Sequence, residues 1–547
     1  MIYNSFVNVF DWKIASHPVK KSKDWLVLTL AKNRGLATKK ELDAFLNPKF
    51  EQILKVKIGD IYKAIERIDK AIRAKEKIIV YSDYDADGIC ATAIAWETLN
   101  DLGADVMPYV PDRVKEGYGL SVDAISELAK AGVKLIITVD HGVTATEQVD
   151  FANKLGVDVI ITDHHLLPKK LPKAYALVHT TEMCGAGVSW RLCWELTQKL
   201  KPEYKGKVEQ RLELAAIATI ADLVPLVGAN RSVVKIGLEK IAETKRHGIK
   251  ALIETSRING KIGTFEIGFI LAPRINAMGR IESGLDALRL LCAKNQKAAQ
   301  ELASLLSKTN TRRQGMTTKA VESALSMVNR EDAVGVVVHE EWHEGIIGLV
   351  ASRLVESHKK PIIVISKREI ISKGSARSIA GFNIVDAIRF SSEYLIDGGG
   401  HPMAAGFSIK TEHIEAFSQK INEFARERIT DDLAAKEISV ECELKKEDIN
   451  AQTLKTVEMF APFGIGNPEP VFLTRKMHIE DVRTVGALAE HLKLQLDGFS
   501  AIGFRMGEKR ALLRLGYLVD LVYTISEDRY GGNGAIQLKI KDIAVTS

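Results

Sequence analysis

Three short β-branched runs, each ending in acidic or imidazole side chains, constrain this chain more than any other feature. Lys77-Ile-Ile-Val-Tyr81 leads into Asp83-Tyr-Asp-Ala-Asp-Gly88. Val133-Lys-Leu-Ile-Ile-Thr-Val139 ends in Asp140-His141-Gly142, and Val157-Asp-Val-Ile-Ile-Thr162 ends in Asp163-His-His165. Nearly continuous apolar runs separated by helix-length segments are the pattern of parallel strands in an α/β sheet. Ligands of such sheets bind at the carboxyl ends of the strands. Those ends would present Asp83, Asp85, Asp87, Asp140, His164 and His165 to one crevice. So many carboxylates repel one another unless cations neutralise them. Carboxylate plus imidazole without thiolate suits Mn²⁺ or Mg²⁺, though imidazole also admits other transition metals.

Simpler accounts of these residues exist. Asp83-x-Asp85-x-Asp87-Gly88 opens like an EF-hand loop. That loop needs a bidentate Glu at its twelfth position, where Ile94 stands, and here a strand precedes the motif. An aspartate after a strand is usually a helix N-cap. That fits one such residue, not three strand ends converging on metal-type ligands. For His141 two readings stay open, a loop cap or a contact with the site.

Length and composition place these motifs in a large soluble protein. A chain of 547 residues is too long for one core, so three or four domains are expected. Apolar content of 46% and charged content of 27% are globular values. No stretch reaches the ~18 apolar residues of a membrane span. The opening residues lack a basic region followed by an apolar one, so no secretory signal is expected. Cys90, Cys184, Cys193, Cys292 and Cys442 are scattered and form no C-x-x-C pair, which predicts neither a zinc site nor a disulfide framework. A reduced, cytoplasmic setting is the expectation. The net charge of +6 permits nucleic acid as a partner without demanding it. Residues 358–377 carry six Lys or Arg against one Glu, interleaved with a β-run, which suggests a phosphate-binding surface.

Along the chain, residues 1–50 read as a mostly helical, polar-faced lead. Residues 51–235 carry the alternating strand and helix pattern, with a helix expected over 88–102. Leu212-Glu-Leu-Ala-Ala-Ile-Ala-Thr-Ile-Ala221 is helical in character, and Pro225 favours a stop just after Asp222, which adds a carboxylate at an element's end. Residues 236–330 form a helical connector. Within it 285–328, free of proline, predicts one long helix or a helical pair. A second α/β unit spans 331–428. Its Gly398-Gly-Gly-His401 is costly in entropy and makes sense if backbone amides approach an anion. The following Met403-Ala-Ala is expected to be buried. From 429 to 547 the texture is all-β, with turns at Asp497-Gly498 and 529–534, which fits a small OB-type barrel.

Taken in order, these motifs resemble the DHH–DHHA1 phosphoesterases, and among them the bacterial RecJ exonucleases. The resemblance runs from about residue 45 onward. It rests on Asp83–Gly88, Val139–Gly142, Asp163–His165, Ala221-Asp-Leu-Val-Pro-Leu226 and Pro273-Arg-Ile-Asn-Ala-Met-Gly-Arg280. It continues through Trp342-His-Glu-Gly-Ile-Ile-Gly348, Lys373-Gly-Ser-Ala-Arg-Ser378, Gly398–Gly406 and Pro462-Phe-Gly-Ile-Gly-Asn-Pro-Glu-Pro470. The implied architecture is a parallel-sheet DHH domain and a smaller α/β DHHA1 domain joined by a long helix, then the OB-like barrel. The implied activity is metal-dependent degradation of single-stranded DNA from the 5′ end to mononucleotides, in DNA repair and recombination.

The resemblance also implies roles for residues. Asp85 and Asp140 would hold one metal, and Asp87, Asp140, His164 and Asp222 a second, with Asp140 bridging. Tyr81 stands where the pyrophosphatase branch has a histidine, so Asp83 or water would complete the first site. His165 would contact the scissile phosphate. Gly399, Gly400 and His401 would bind phosphate from the second lobe. Arg113, Ser375 and Arg377 resemble a 5′-phosphate clamp, and Arg280 would line the strand's path. A departure is Val178-His-Thr-Thr-Glu-Met-Cys184, where relatives carry an Asn-Pro-type loop. Implied partners are single-stranded DNA, a single-strand-binding protein and a helicase, with no membrane. Two rival readings remain: a small-substrate phosphoesterase acting on oligoribonucleotides or cyclic dinucleotides, and a decayed scaffold that only grips single strands. The OB-like barrel speaks against the first, and the intact metal ligands against the second.

Overall fold

The computed structural model of the protein describes residues 11–17, 22, 24–113, 116, 117, 119–429, 437–528 and 535–546. The chain divides into two compact units. One comprises residues 57–222 and 237–435; the other comprises 1–56, 223–236 and 436–547.

The larger unit holds two sheets. The first runs, in spatial order, Asp105–Tyr109, Lys77–Ser82, Val133–Val139, Asp158–Asp163 and Ala176–His179. Every pairing in it is parallel. Five of the six residues of Lys77–Ser82 are buried, as its unbroken apolar run predicts for a strand covered on both faces. Lys77–Ser82, the earliest of these strands in sequence, lies second in the sheet, and its neighbours on either side come later in sequence. Connections therefore leave in opposite directions between Lys77–Ser82 and Val133–Val139. Their carboxyl ends flank the switch point, where such sheets open a crevice.

Helix Ala86–Asp101 follows the first strand, beginning two residues earlier than the sequence predicts. Asp85 caps it, accepting hydrogen bonds from the amides of Asp87 (2.9 Å) and Gly88 (3.0 Å). Helix Leu212–Ala221 ends at Asp222, and Leu223 turns left-handed at φ +59°. The connector contains a helical pair, Gly284–Leu291 and the 30-residue Gln296–Leu325.

The second sheet has the order Leu395–His401, Ala404–Lys410, Ile371–Arg377, Ile362–Ser366 and Gly335–His339. Only its last pair is parallel. Here the glycine-rich segment departs from expectation. Gly398–His401 belongs to an exposed β-strand, and Met403 at its turn is 49% exposed rather than buried. The two glycine-bearing strands pair with each other, so their backbones are satisfied by the ladder and the apolar tip is left in solvent.

In the smaller unit, five strands of a six-stranded sheet close into a barrel. Phe472–Val485 pairs with His491–Leu496 at one end and with Leu518–Glu527 at the other. Register shifts after Thr474 and Ile479 bend this one strand around the closure. Asp497 (φ +44°) and Gly498 (φ +82°) form the expected tight turn. The expected turn at 529–534 lies outside the described residues. The region is not purely β, because Asn450 caps a helix over Ala451–Met459.

Residues before 57 contribute to the same unit. Leu26 and Leu30, on helix Trp25–Asn33, enter the barrel's apolar core, and strand Asp11–Ile14 pairs with Glu437–Val440. Arg231 is fully buried and donates to the carbonyls of Phe45 (2.7 Å), Phe460 (3.0 Å), Ala461 (2.8 Å) and Pro462 (3.2 Å). Burial, and then the charge of Arg34, lowers its pKa to about 10. Arg231→Ala should therefore lower stability by roughly 2–4 kcal/mol. Urea unfolding with barrel tryptophan or circular-dichroism probes checks this, and an unchanged midpoint would contradict it.

Candidate metal centre

The switch point gathers the acidic side chains. Ligand atoms of Asp83, Asp85 and Asp140 lie within 4.8 Å of one another, as do those of Asp87, His164 and Asp222, and those of Asp140, His164 and His165. Asp140 and His164 each appear in two groups, so the clusters are contiguous. All these residues come from the ends of three adjacent strands and from the C-terminus of helix Leu212–Ala221.

Local backbone holds the carboxylates in place. Asp87 accepts from the amides of Gly185 (2.7 Å) and Ala186 (2.6 Å), the first turn of helix Gly185–Leu200. Asp140 sits at φ +67°, an uncommon conformation for a residue with a side chain. Side chains are excluded where they would intrude. A Cβ on Gly185 would lie 2.5 Å from Asp140 Oδ1, and one on Gly88 would lie 2.7 Å from Asp83 Cβ.

Electrostatics set this cluster apart from a structural ion-pair network. Burial, then the charge of Asp85, pushes Asp87 up to about 7. Burial, then Asp87, pushes Asp222 up to about 8. Asp140 and Asp83 are raised well above the carboxylate range, first by burial and then by neighbouring aspartates. Burial, then the charge of His165, lowers His164 to about 4. His164 Nε2 and Asp140 Oδ1 are 3.2 Å apart, yet the lowered His164 pKa and the raised Asp140 pKa both disfavour an ion pair. Both atoms are buried and neither makes a hydrogen bond. Orphaned buried ligand atoms converging on one point, with acceptors outnumbering donors, fit a divalent cation.

His165 is different. Its Nδ1 is bonded to Asp163 Oδ1 at 2.7 Å. Burial opposes protonation, but that bond and the charge of Asp163 outweigh it, and the pKa rises to about 9. Asp163 itself, despite its burial, is held below the carboxylate range by His165 and by the amide of Val143. His165 is thus a protonated donor with Nε2 left over, and Asp163 orients it.

The second lobe of the larger unit faces this centre. The His401 ring stacks near His165, with centroids 6.5 Å apart and planes 11° apart. Strand register aligns His401, Ala404 and Arg377 in one row, and Gly399, Gly406 and Ser375 two residues further along. The glycines leave bare backbone beside Ser375; a Cβ on Gly399 would meet nothing within 4 Å. Arg377 Nη1 is 3.2 Å from Ser375 Oγ. Burial, then Arg113, lowers the Arg377 pKa; burial, then Arg113 and Arg313, lowers Arg280 to about 10. Arg113 lies 5.0 Å over the Tyr84 ring, within the acidic motif. Arg280 donates to the Gly345 carbonyl at 3.3 Å. Arginines whose charge is disfavoured by burial and by a neighbouring arginine make this a candidate anion site.

Some sequence expectations fall elsewhere. His141 turns away from the cluster, with Nε2 3.1 Å from the Tyr81 carbonyl oxygen. Tyr81 belongs to the apolar core and stacks on Tyr109 at 4.6 Å. Most of the basic run at 358–377 is engaged locally: Lys360 bonds to the Asp332 carbonyl, Arg368 to that of Glu340, and Lys373 to Ser408. Within Pro111–Gly119, residues 114, 115 and 118 lie outside the described residues. Sequence reasoning missed Asn276, whose Oδ1 accepts from the Ala86 amide at 2.7 Å and so braces the Asp83–Gly88 loop. It also missed Gly185. Asn276 lies in the Pro273–Arg280 motif, but nothing local assigns it this role, and no local signal marks Gly185.

Three family descriptions match the chain: the DHH family N-terminal domain over residues 77–221, the DHHA1 domain over 315–427, and the RecJ OB domain over 440–542. The single-stranded-DNA-specific exonuclease RecJ of Bacillus subtilis is 38% identical over 95% of this chain and 68% of its own length. That of Escherichia coli is 31% identical over 89% of this chain and 90% of its own. The crystal structure of Thermus thermophilus RecJ in complex with Mn²⁺ superposes with a TM-score of 0.85 and 30% identity, over 98% of this chain and 80% of that one. The chain belongs to the RecJ family of single-stranded-DNA-specific exonucleases.

Proposed function

We propose that this protein hydrolyses the phosphodiester bonds of single-stranded DNA stepwise from the 5′ end, releasing mononucleotides, as a cytoplasmic enzyme of DNA repair and recombination. The observation that carries the reading is the pair of orphaned ligand atoms, Asp140 Oδ1 and His164 Nε2, in an acidic crevice facing an arginine-lined lobe. Asp85 and Asp140, completed by Asp83, would hold one Mn²⁺ or Mg²⁺ ion. Asp87, Asp140, His164 and Asp222 would hold the second. When bound, such a pair supplies a hydroxide-like water at neutral pH and neutralises charge on the phosphate.

The chain's own residues do the rest. Protonated His165, oriented by Asp163, donates from Nε2 to a non-bridging oxygen of the scissile phosphate. His401 and the bare backbone of Gly399 and Gly400 approach the same phosphate from the other lobe. Arg113, Ser375 and Arg377 receive the terminal 5′-phosphate, and Arg280 neutralises the strand beside it. A fixed terminal phosphate sets where the cut falls, which makes the enzyme an exonuclease. Bacillus subtilis and Escherichia coli relatives carry the name of single-stranded-DNA-specific exonucleases, which supports DNA over small substrates. A single-strand-binding protein and a helicase are the protein partners that fit such an activity.

Asp140→Asn should abolish hydrolysis while leaving the circular-dichroism spectrum unchanged, because one ligand serves both metal groups. Wild-type turnover at saturating Mn²⁺ would refute the assignment. Metal binding should also release protons. Asp87 and Asp222, with pKa values of about 7 and about 8, hold protons at neutral pH that a cation must displace. Affinity for Mn²⁺ should therefore rise as pH rises through 7 and 8 and weaken below. Calorimetry at pH 7 in two buffers of different ionisation enthalpy measures the release. Arg377→Ala should weaken binding of 5′-phosphorylated strands by about 1.5–3 kcal/mol, as for a charge-assisted hydrogen bond, and spare 5′-hydroxyl strands. Equal losses on both ends would place the clamp elsewhere.

A further inference from the structure

We infer that Phe265 and Phe269 form a stacking platform for the bases of the single strand as it passes the metal centre. The inference rests on the function proposed above and names a contact that function does not require.

The two rings are 60% and 73% exposed, unusual for two phenylalanines one turn apart. They stack on each other, with centroids 5.0 Å apart and planes 27° apart. Phe269 stands on a π-helical turn, Glu266–Leu271, and Phe265 is the residue just before it; the turn runs without a break into helix Ala272–Ile281. Single π-turns are rare and concentrate at functional sites. On the inner side of this segment Ile267, Leu271, Ile275 and Met278 are buried.

The outer side forms a row. Phe265, Phe269, Pro273, Asn276 and Arg280 recur at helical spacing, and the last three are half-buried. Asn276 braces the Asp83–Gly88 loop, and Arg280 belongs to the arginine cluster. The π-turn also touches the other side of the centre. A Cβ on Gly268 would lie 3.5 Å from Ile220 Cγ2, in the helix that ends at Asp222. Both ends of the metal centre thus anchor the segment that carries the rings.

This continuity identifies the occupant. From Phe269 to Arg280 the helix rises ~16 Å, the span of about five nucleotides at the ~3.4 Å stacked spacing. A strand whose phosphates follow the arginines presents its bases at that distance to exposed aromatic faces. Every base has a π-face, so such a platform serves a nuclease without sequence preference. An aromatic pair also adds affinity without adding charge, which an already repulsive arginine cluster would resist.

The test compares the double variant Phe265→Ala/Phe269→Ala with wild type on 5′-phosphorylated strands of about 20 nucleotides and on a trinucleotide, with saturating Mn²⁺. The KM advantage of the long strand over the trinucleotide should shrink by about tenfold or more, in the range measured for lost base stacking. Abasic sugars from the fourth nucleotide onward should impose the same loss on wild type and none on the variant. Phe269→Trp should retain the advantage and Phe269→Leu should lose it. The salt slope of binding should not change, because no phosphate contact is removed. An undiminished length preference, a Leu variant equal to the Trp variant, or a flatter salt slope would overturn the inference. The second of these would point to a protein surface docking on the rings. If wild type leaves single strands uncut, the proposed function fails on its own. Fluorescence anisotropy of a labelled strand with both proteins then still decides whether the rings bind it.

Discussion

Mutual repulsion among five carboxylates crowded at a sheet switch point governs the organisation of the larger unit. Asp83, Asp85, Asp87, Asp140 and Asp222 lie near one another in a largely buried crevice. Burial and neighbouring charge drive several of them toward protonation, which is unfavourable for folding and useful for binding cations. The fold tolerates them because the backbone supplies compensating dipoles. Asp87 rests on the first amides of helix Gly185–Leu200, and Asp85 caps helix Ala86–Asp101. Gly88 and Gly185 leave the room that these carboxylates need.

Against this acidic floor stands a basic roof. Burial and the charge of Arg113 lower the proton affinity of Arg280 and Arg377, and Asp85 only partly relieves Arg280. Each side alone is electrostatically strained. The acidic side offers charge complementary to a cation and the basic side charge complementary to an anion. His165 mediates between them, since Asp163 keeps it protonated among metal-type ligands and its ring faces His401 on the opposite lobe.

The smaller unit solves a different problem, closing a mixed sheet on itself. One long strand, Phe472–Val485, bends at two register shifts to pair on both sides of the barrel. Helix Trp25–Asn33 supplies part of its core, and buried Arg231 ties four backbone carbonyls from separate segments together. The barrel therefore depends on residues from both ends of the chain and on a short internal segment.

Sequence alone determined the features written in local order. Unbroken apolar runs fixed the parallel strands, because burial on both faces leaves no polar alternation. The aspartates and histidines that end those runs were legible as one cluster of metal-type side chains, and Pro225 marked Asp222 as its outlying member. Asp497-Gly498 specified its turn, because both residues accept positive φ. Tertiary structure alone decided the rest. Asp163 opens the Asp163-His-His165 run without an assigned role, and it orients His165, while its oxygens also accept from the amides of its own loop. His141 stands beside Asp140 in sequence and points the other way, since Asp140 adopts a left-handed turn. Met403 reads as core and is exposed at a hairpin tip. Asn276 and Gly185 reach the centre from far along the chain, as Leu26 reaches the barrel. Periodicity reports which face of an element is buried, but not which distant element buries it, and each of these placements turned on such a contact.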